Sequence, residues 1–354
     1  MTLASTPTLE PTAEAIASLS VPSLRGFVEK SGLRAVVIGH SKDPNAKLTI
    51  MLISPRSGHA VLAVKAPTSD IAGNAVAAEL RMLLALHEVC PASLAESIPR
   101  VVDLVDFEGR TALVTTAVGG TSMTTSYLHW RHTARPALVA RDFAAAGTWL
   151  ARLQQATAAD RAPLEPGAGA VPRLRARFFR EAGLELDLER LATLQARLRS
   201  NTVPRSAVHG DFWMGNVLLS RGAASGVVDW EAGAMSGDPI RDLVRFALMY
   251  ALYLDLWTRA GHRVGGHPGL RAGSWGAGVA YAIDGCGWFP HLFRRFLGDG
   301  LRRLGASAES WRDVALVGLA EVAASTDDPE FAIRHLRLFR RLSTAEPPAV
   351  DRDR

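Results

Sequence analysis

The stretch VHGDFWMGNVLLS, residues 208–220, decides how the rest of the chain is interpreted. Asn216 lies five positions after Asp211, and Asp229 lies another 13 positions on, within GVVDWE at residues 226–231. The short apolar runs on either side of the polar segment between Asn216 and Asp229 predict a β-hairpin. Three side chains that carry oxygen ligands are therefore expected at the ends of short extended segments.

This spacing matches the catalytic loop of kinases, in which an Asp orients the acceptor hydroxyl while an Asn and a second Asp hold Mg²⁺. Magnesium prefers hard oxygen ligands, which the amide of Asn216 and the carboxylate of Asp229 supply. Asp211 is then expected to remain free of metal and to face the alcohol. The structural alternative is that HGD forms a turn at a helix end and VVDWE ends a strand, with the acidic residues as caps.

These residues, together with GDPIRDL at residues 237–243, resemble the aminoglycoside phosphotransferase and choline kinase superfamily of small-molecule kinases. The resemblance covers roughly residues 30 to 250. It implies that Asp211 is the catalytic residue and that Asn216 and Asp229 are the metal ligands. It also assigns supporting positions to His209, Asp238 and Asp242.

The GDP sequence by itself predicts the start of a helix. Asp238 is expected at the N-cap and Pro239 at the first helical position, where its missing N–H group costs nothing. Asp238 and Asp242 are therefore expected to be structural.

The order of predicted elements favours an α+β fold with two lobes, as the resemblance also implies. Strands and one helix are expected before Gly119 and Gly120, and mainly helices after them. We therefore expect a small N-terminal lobe with an antiparallel sheet and a larger, mainly helical C-terminal lobe. The predicted boundaries are a flexible leader at 1–20, the N-terminal nucleotide-binding lobe at 21–118, the catalytic and acceptor-binding lobe at 119–344 and a flexible tail at 345–354.

Lys65 and Glu79 are candidates for the lysine and glutamate that kinases use near the nucleotide phosphates. Lys65 lies in the predicted strand VLAVKAP and is one of only four lysines in the chain. Glu79 follows 14 residues later on the next predicted helix. The alternatives are an edge-strand lysine that points to solvent and a solvated glutamate on a helix face.

The segment from Leu113 to Gly120 lies where the family has its interlobe hinge, whose backbone groups bind the adenine edge. Thr116 and Val118 are the nucleotide-binding candidates there. The loop at residues 40–46, HSKDPNA, departs from the glycine-rich pattern of protein kinases, so the phosphates are expected to be covered differently. Lys42 or Ser41 could supply a contact that the glycines would otherwise make.

The composition argues against two classes of partner, nucleic acids and membranes. The formal net charge is +5, yet the arginines are spread along the chain and interleaved with acidic residues, so we expect no nucleic-acid partner. The longest apolar run, Phe246 to Leu254, is too short to span a bilayer. The N-terminus has no pattern of a secretion signal, and we expect a cytoplasmic protein without a membrane partner.

The expected function is transfer of the γ-phosphate of ATP or GTP, with Mg²⁺, to a hydroxyl group of a small molecule. Between Phe246 and Gly300 there are three acidic residues and five arginines, which favours a neutral or anionic alcohol or sugar over a polycationic aminoglycoside. Two other hypotheses are a catalytically silent nucleotide-binding regulatory module of the same fold and an unrelated helical binding protein.

Overall fold

The computed structural model describes residues 21–40 and 47–345. The predicted leader at 1–20, the loop residues 41–46 and the predicted tail beyond residue 345 lie outside the described residues.

The described chain alternates strands and helices before Gly119 and is mainly helical afterwards. The helices are α1 Leu24–Ser31, α2 Asp70–Val89, α3 Ala92–Ala95, α4 Met123–Tyr127, α5 Pro136–Ala156, α6 Ala170–Phe178, α7 Leu184–Leu198, α8 Ile240–Leu252, α9 Ala277–Asp284, α10 Trp288–Leu304, α11 Trp311–Ser325 and α12 Pro329–Thr344. The strands are β1 Arg34–His40, β2 Lys47–Ile53, β3 Ala60–Pro67, β4 Val101–Phe107, β5 Arg110–Thr116, β6 Thr121–Ser122, β7 Arg161–Pro163, β8 Thr202–Pro204, β9 Ser206–Val208, β10 Val217–Ser220, β11 Ala223–Val227 and β12 Ala234–Gly237. The α+β fold class is confirmed.

The described residues group into two compact units. The first contains residues 21–40, 47–76 and 101–117, and the second contains residues 77–100 and 118–345. The first unit is therefore smaller than the lobe predicted at 21–118. Residues 77–100 belong to the second unit because its side chains and strands hold them: Trp149 Nε1 donates to Ser97 Oγ at 2.9 Å, and Val227 N donates to Ser97 O at 2.9 Å.

The first unit is built on an antiparallel five-stranded sheet in the order β1-β2-β3-β5-β4. Lys65 lies on the central strand β3, opposite Thr49 of β2 and Leu113 of β5. The alternative of an edge-strand lysine is therefore wrong. One face of the sheet carries a compact apolar core, against which residues of α1 pack: Ile50, Leu52, Val64, Ala66, Val105, Ala112 and Val114 are buried there.

The second unit places the predicted hairpin among helices. Strands β10 and β11 form the hairpin, and β6 adds a third antiparallel strand on the far side of β10. Fully buried aromatic rings fill the space between α5, α8 and α10; Phe143 contacts Phe246 and Phe289 edge to face at 5.3 and 6.1 Å. Edge-to-face pairs of this kind add to the stabilisation that burial of the rings provides. No helix within residues 21–40 and 47–345 is long and apolar enough to cross a membrane.

Two valines in the same sheet allow a matched test of its core. Val114 on β5 is 0% exposed, whereas Val37 on β1 is 59% exposed. We expect Val114→Ala to destabilise the sheet by about 2 kcal/mol, since it removes buried methyl groups and leaves a cavity. Val37→Ala should change stability by less than about 0.5 kcal/mol. Hydrogen exchange of the β3 and β5 amides measures both effects, and equal exchange rates in the two variants would contradict the assigned core.

Candidate active site

The predicted catalytic loop begins where β9 ends. Strand β9 pairs with β12, with Val208 opposite Ala234. Gly210 then adopts the left-handed conformation with φ +82°, and a Cβ atom there would lie 2.1 Å from the carbonyl oxygen of Ala232. Both the backbone conformation and the close approach require glycine at this position.

Asp242, in the first turn of α8, fixes the backbone of this loop. Its carboxylate accepts hydrogen bonds from His209 N at 2.6 Å and from Gly210 N at 2.9 Å. The side chain is fully buried, and burial raises the pKa of Asp242, an effect that His209 and the two hydrogen bonds counteract. These contacts are those of the supporting residue that the sequence suggested.

His209 links the loop to the strand that precedes Asp229. Its Nδ1 accepts a hydrogen bond from Asp211 N at 3.3 Å, which leaves the proton on Nε2, and Nε2 donates to Val228 O at 2.9 Å. The buried ring packs on Trp230, with centroids 4.6 Å apart. The imidazole therefore acts as a spacer between the loop and the end of the hairpin.

Asp211 and Asn216 lie in direct contact. Asn216 Nδ2 donates to the backbone oxygen of Asp211 at 2.9 Å and is 3.3 Å from its Oδ2. Asn216 O also accepts a hydrogen bond from Val228 N at 3.0 Å. Because the amide nitrogen of Asn216 contacts Asp211, the amide oxygen is the side-chain atom of Asn216 that could bind a cation.

Asp229 belongs to a cluster of three acidic residues. The backbone of Asp229 has φ +74°, and its carboxylate lies with those of Glu79 and Glu231 so that one oxygen of each is within 4.8 Å of the others. Glu79 is only 2% exposed and accepts a hydrogen bond from Trp230 N at 3.3 Å. The alternative of a solvated Glu79 is therefore wrong.

The cluster suits a hard divalent cation. Like charges at this distance repel one another, and oxygen ligands of this type are those that Mg²⁺ prefers. Glu231 was not among the predicted site residues. Its position two residues after Asp229 was the available signal, but a glutamate beside a tryptophan at a strand end has many ordinary explanations.

Arg245 is a second residue that the sequence analysis did not assign to the site. It projects from α8 and donates to Asp211 Oδ1 from Nε at 3.1 Å and from Nη2 at 2.7 Å. Both side chains are partly exposed. The sequence offered only the spacing of Arg245 three residues after Asp242, which places the two on one face of a helix.

Asp238 has a different place from the one predicted. Helix α8 begins at Ile240 with Pro239 at the N-cap, one residue later than expected. The carboxylate of Asp238 accepts from Ile240 N at 3.2 Å and also from Glu165 N at 2.7 Å. Asp238 therefore supports the helix start and anchors the segment before α6 as well. Burial raises its pKa to about 6.

The remaining nucleotide-binding candidates are divided between the units. Lys65 and Thr116 belong to the first unit, where Thr116 is the last residue of β5. Val118 opens the second unit, and its Cγ1 packs so closely over Gly226 of β11 that a Cβ there would be 2.2 Å away. Their roles, like that of Glu79 towards Lys65, stay predictions.

An antiparallel sheet followed by a helical region that carries Asp211, Asn216 and Asp229 on a loop and hairpin defines a phosphotransferase with a protein-kinase-like fold. Residues 48–276, more than half of the chain, match the model of the phosphotransferase enzyme family. The chain belongs to this family and is a small-molecule phosphotransferase. The resemblance found in the sequence is thereby confirmed.

Solved structures of an aminoglycoside phosphotransferase agree on the fold. A thermostable mutant of aminoglycoside phosphotransferase APH(4)-Ia, in ternary complex with ADP and hygromycin B, has 13% sequence identity and a TM-score of 0.54, with 91% of this chain and 98% of that chain covered. Macrolide 2'-phosphotransferase MphH from Brachybacterium faecium has 16% identity and a TM-score of 0.48, with coverage of 90% and 97%. A comparison with curated proteins gives no significant match.

Two glycines test the close approach at the loop. Gly210 and Gly222 have nearly the same φ, +82° and +80°, but a Cβ at Gly222 would meet nothing within 4 Å. Gly222→Ala is expected to cost about 1 kcal/mol through backbone strain alone. Gly210→Ala must also displace Ala232, so we expect a clearly larger loss in the free energy of unfolding. Urea denaturation monitored by tryptophan fluorescence compares them, and equal losses would show that the loop is not constrained by Ala232.

Proposed function

We propose that the protein transfers the γ-phosphate of ATP or GTP, with Mg²⁺, to a hydroxyl group of a small molecule. The observation that carries this proposal is the direct hydrogen bond between Asn216 and Asp211, together with the hydrogen bonds that join Asn216 and His209 to Val228, the residue before Asp229. Asp211 and Asn216 are thus held together by hydrogen bonds, and Asp229 directly follows the hydrogen-bonded Val228 in the same compact unit.

Each residue has a separate role in this proposal. Asp211 orients the acceptor hydroxyl and takes its proton as the oxygen bonds to the γ-phosphorus and the bond to the leaving nucleoside diphosphate breaks. Asn216 Oδ1 and the carboxylate of Asp229 would hold Mg²⁺, and Glu231 lies close enough to contribute. The ion, when bound, offsets charge on the phosphates.

The nucleotide-binding residues are proposed on the basis of the resemblance found in the sequence. A structurally similar phosphotransferase binds ADP, which supports a nucleotide donor. Lys65 would contact the phosphates, with Glu79 as the carboxylate that orients it, while backbone groups at Thr116 and Val118 would bind the base. The position of Lys65 on the central strand of a sheet supports this role, because such a strand holds a side chain more firmly than a sheet edge does.

The acceptor is proposed to be a neutral or anionic alcohol or sugar rather than an aminoglycoside. Arg245 places a positive charge next to Asp211, where the reacting hydroxyl would bind. Two of the three carboxylates between residues 246 and 300 are already paired, Asp284 with Arg312 and Asp299 with Arg302. Both ion pairs reduce the negative charge that residues 246–300 could offer to a polycationic acceptor.

A catalytically silent regulatory module of the same fold is the second candidate. The chain retains Asp211, Asn216, Asp229 and Lys65 together, which favours an active enzyme.

Two substitutions should separate the catalytic and metal-binding roles. Asp211→Ala is expected to lower turnover by about 10² to 10⁴-fold or more with nearly unchanged nucleotide affinity, because Asp211 faces the acceptor. Asp229→Asn should lower turnover and also weaken Mg²⁺-dependent nucleotide binding, because a charged metal ligand is lost. Asn216→Ala should act in the same direction as Asp229→Asn but more mildly. Steady-state kinetics and calorimetric titration with the Mg²⁺–nucleotide complex provide the measurements.

Asp313→Asn is the control for these variants, since Asp313 pairs with Arg197 at 2.8 Å elsewhere in the same unit. It should leave both turnover and nucleotide binding unchanged. Near-normal turnover in Asp211→Ala would remove Asp211 from the catalytic role. An unchanged dependence on Mg²⁺ in Asp229→Asn and Asn216→Ala would refute the metal assignment.

The acceptor class can be tested by direct competition of substrates. We expect higher specificity constants for neutral sugars, nucleosides and hydroxy acids than for kanamycin-type aminoglycosides at identical salt, because like charges in a binding site can cost several kcal/mol. The assay measures nucleoside diphosphate release for each acceptor. Efficient phosphorylation of an aminoglycoside, with the neutral and anionic compounds inert, would overturn this acceptor class and leave the kinase assignment intact.

A further inference from the structure

The carboxylate of Asp211 is held from two sides. Arg245 donates two hydrogen bonds to Oδ1, from Nε at 3.1 Å and from Nη2 at 2.7 Å. Asn216 Nδ2 lies 3.3 Å from Oδ2, a weaker contact. The two carboxylate oxygens are therefore no longer equivalent, since Oδ1 is occupied by strong charged donors and Oδ2 is the oxygen that can receive a proton from another molecule.

Helix α8 aligns Arg245 with the loop. Asp242 and Arg245 are three residues apart and lie on one face of the helix. Asp242 binds the backbone amides of His209 and Gly210, and Arg245 binds the side chain of the next residue, Asp211. One turn of helix thus contacts three consecutive loop residues with groups of opposite charge. A shift of this turn would move the loop backbone and the carboxylate together.

A neutral histidine lies in the electrostatic neighbourhood of Arg245. His335 of α12 is fully buried, and its Nδ1 makes a hydrogen bond of 2.9 Å with Phe331 O. Burial lowers the pKa of His335 to about 4, and the charge of Arg245 adds to this effect. At neutral pH the imidazole is therefore uncharged and does not repel Arg245. Trp275 and Phe331 pack against the ring and hold it in place.

We propose that Arg245 is a positioning residue for phosphoryl transfer, which fixes the Asp211 carboxylate so that Oδ2 faces the acceptor hydroxyl. This inference rests on the proposed function. Without Arg245 the carboxylate can rotate about its terminal bond, and only a fraction of molecules present an oxygen to the hydroxyl in the productive orientation. The expected cost falls on turnover, because a displacement of about 1 Å in a reacting group can lower the rate by about 10²-fold.

The same geometry allows two other roles that experiment can separate. Arg245 could bind an anionic group of the acceptor, in which case its loss would raise KM for the acceptor. It could also serve only the stability of α8, in which case any equivalent ion pair on the helix would matter as much. Arg241 provides that comparison, since it lies one turn earlier on α8 and pairs with Glu321 at 2.7 Å.

The experiment compares Arg245→Ala, Arg245→Lys and Arg241→Ala in full kinetics with the same nucleotide and the best acceptor of the panel. We expect Arg245→Ala to lower kcat about 10²-fold, with KM for the acceptor and the nucleotide Kd within about threefold of wild type. Arg245→Lys should recover only part of kcat, because a single ammonium group cannot donate in the fork geometry of a guanidinium. Guanidinium ion at low millimolar concentration should partly restore Arg245→Ala. Arg241→Ala should keep the wild-type kcat.

Several results would overturn the proposal. These are an unchanged or increased kcat in Arg245→Ala, a rise in acceptor KM at constant kcat, or an equal loss in Arg241→Ala without rescue by guanidinium. Crystal structures of the two alanine variants add a readout that needs no activity. The Asp211 carboxylate should lose its single orientation in Arg245→Ala and keep it in Arg241→Ala, and a fixed carboxylate in both would refute the positioning role. An inactive wild-type enzyme would count against the proposed function, while the crystallographic comparison would still decide the role of Arg245.

Discussion

The carboxylate of Asp242 holds the backbone N–H groups of His209 and Gly210, and the candidate site depends on this one interaction. A buried carboxylate loses its hydration, so it persists only where hydrogen bonds replace the lost water. Two consecutive amides at the end of β9 meet that need and, in return, fix the start of α8 against the loop. The positions of the His209 and Gly210 amides determine where the next residue, Asp211, lies. The position of α8 determines that Arg245 can contact the Asp211 carboxylate.

A closed series of hydrogen bonds then connects this loop to the candidate metal ligands. His209 binds Val228 O, Val228 N binds Asn216 O, and Asn216 returns to Asp211. Because each of these residues is hydrogen-bonded to the next, the loop and the hairpin cannot move independently. Asp229 and Glu231 follow Val228 in the chain. Their positions therefore depend on these hydrogen bonds, which are made by uncharged groups.

The parts of the structure that could be predicted from sequence are those that depend on local residue patterns. Alternating apolar residues gave the strands of the sheet, and the spacing of Asp211, Asn216 and Asp229 gave the loop and hairpin. The contacts of Arg245 and Glu231 could not be predicted, because an arginine on an amphipathic helix and a glutamate after a strand are ordinary surface residues until tertiary packing gives them partners. For the same reason residues 77–100 were predicted to be part of the N-terminal lobe, whereas Trp149 of the second unit binds Ser97 within them. The start of α8 differed by one residue from the prediction, and the hydrogen bond of Asp238 to Glu165, 73 residues away in the chain, could not be predicted from local sequence.

The left-handed conformation of Gly210 has a consequence for regulation. Protein kinases carry an arginine in the middle of H-R-D, and ordering of their activation loops uses arginine pairs with a phosphorylated residue. In this chain any side chain at position 210 would collide with Ala232, so the loop cannot accommodate that arginine. The positive charge beside Asp211 comes instead from a helix whose place is already fixed by Asp242. A loop built in this way has no arginine at position 210 that could pair with a phosphorylated segment.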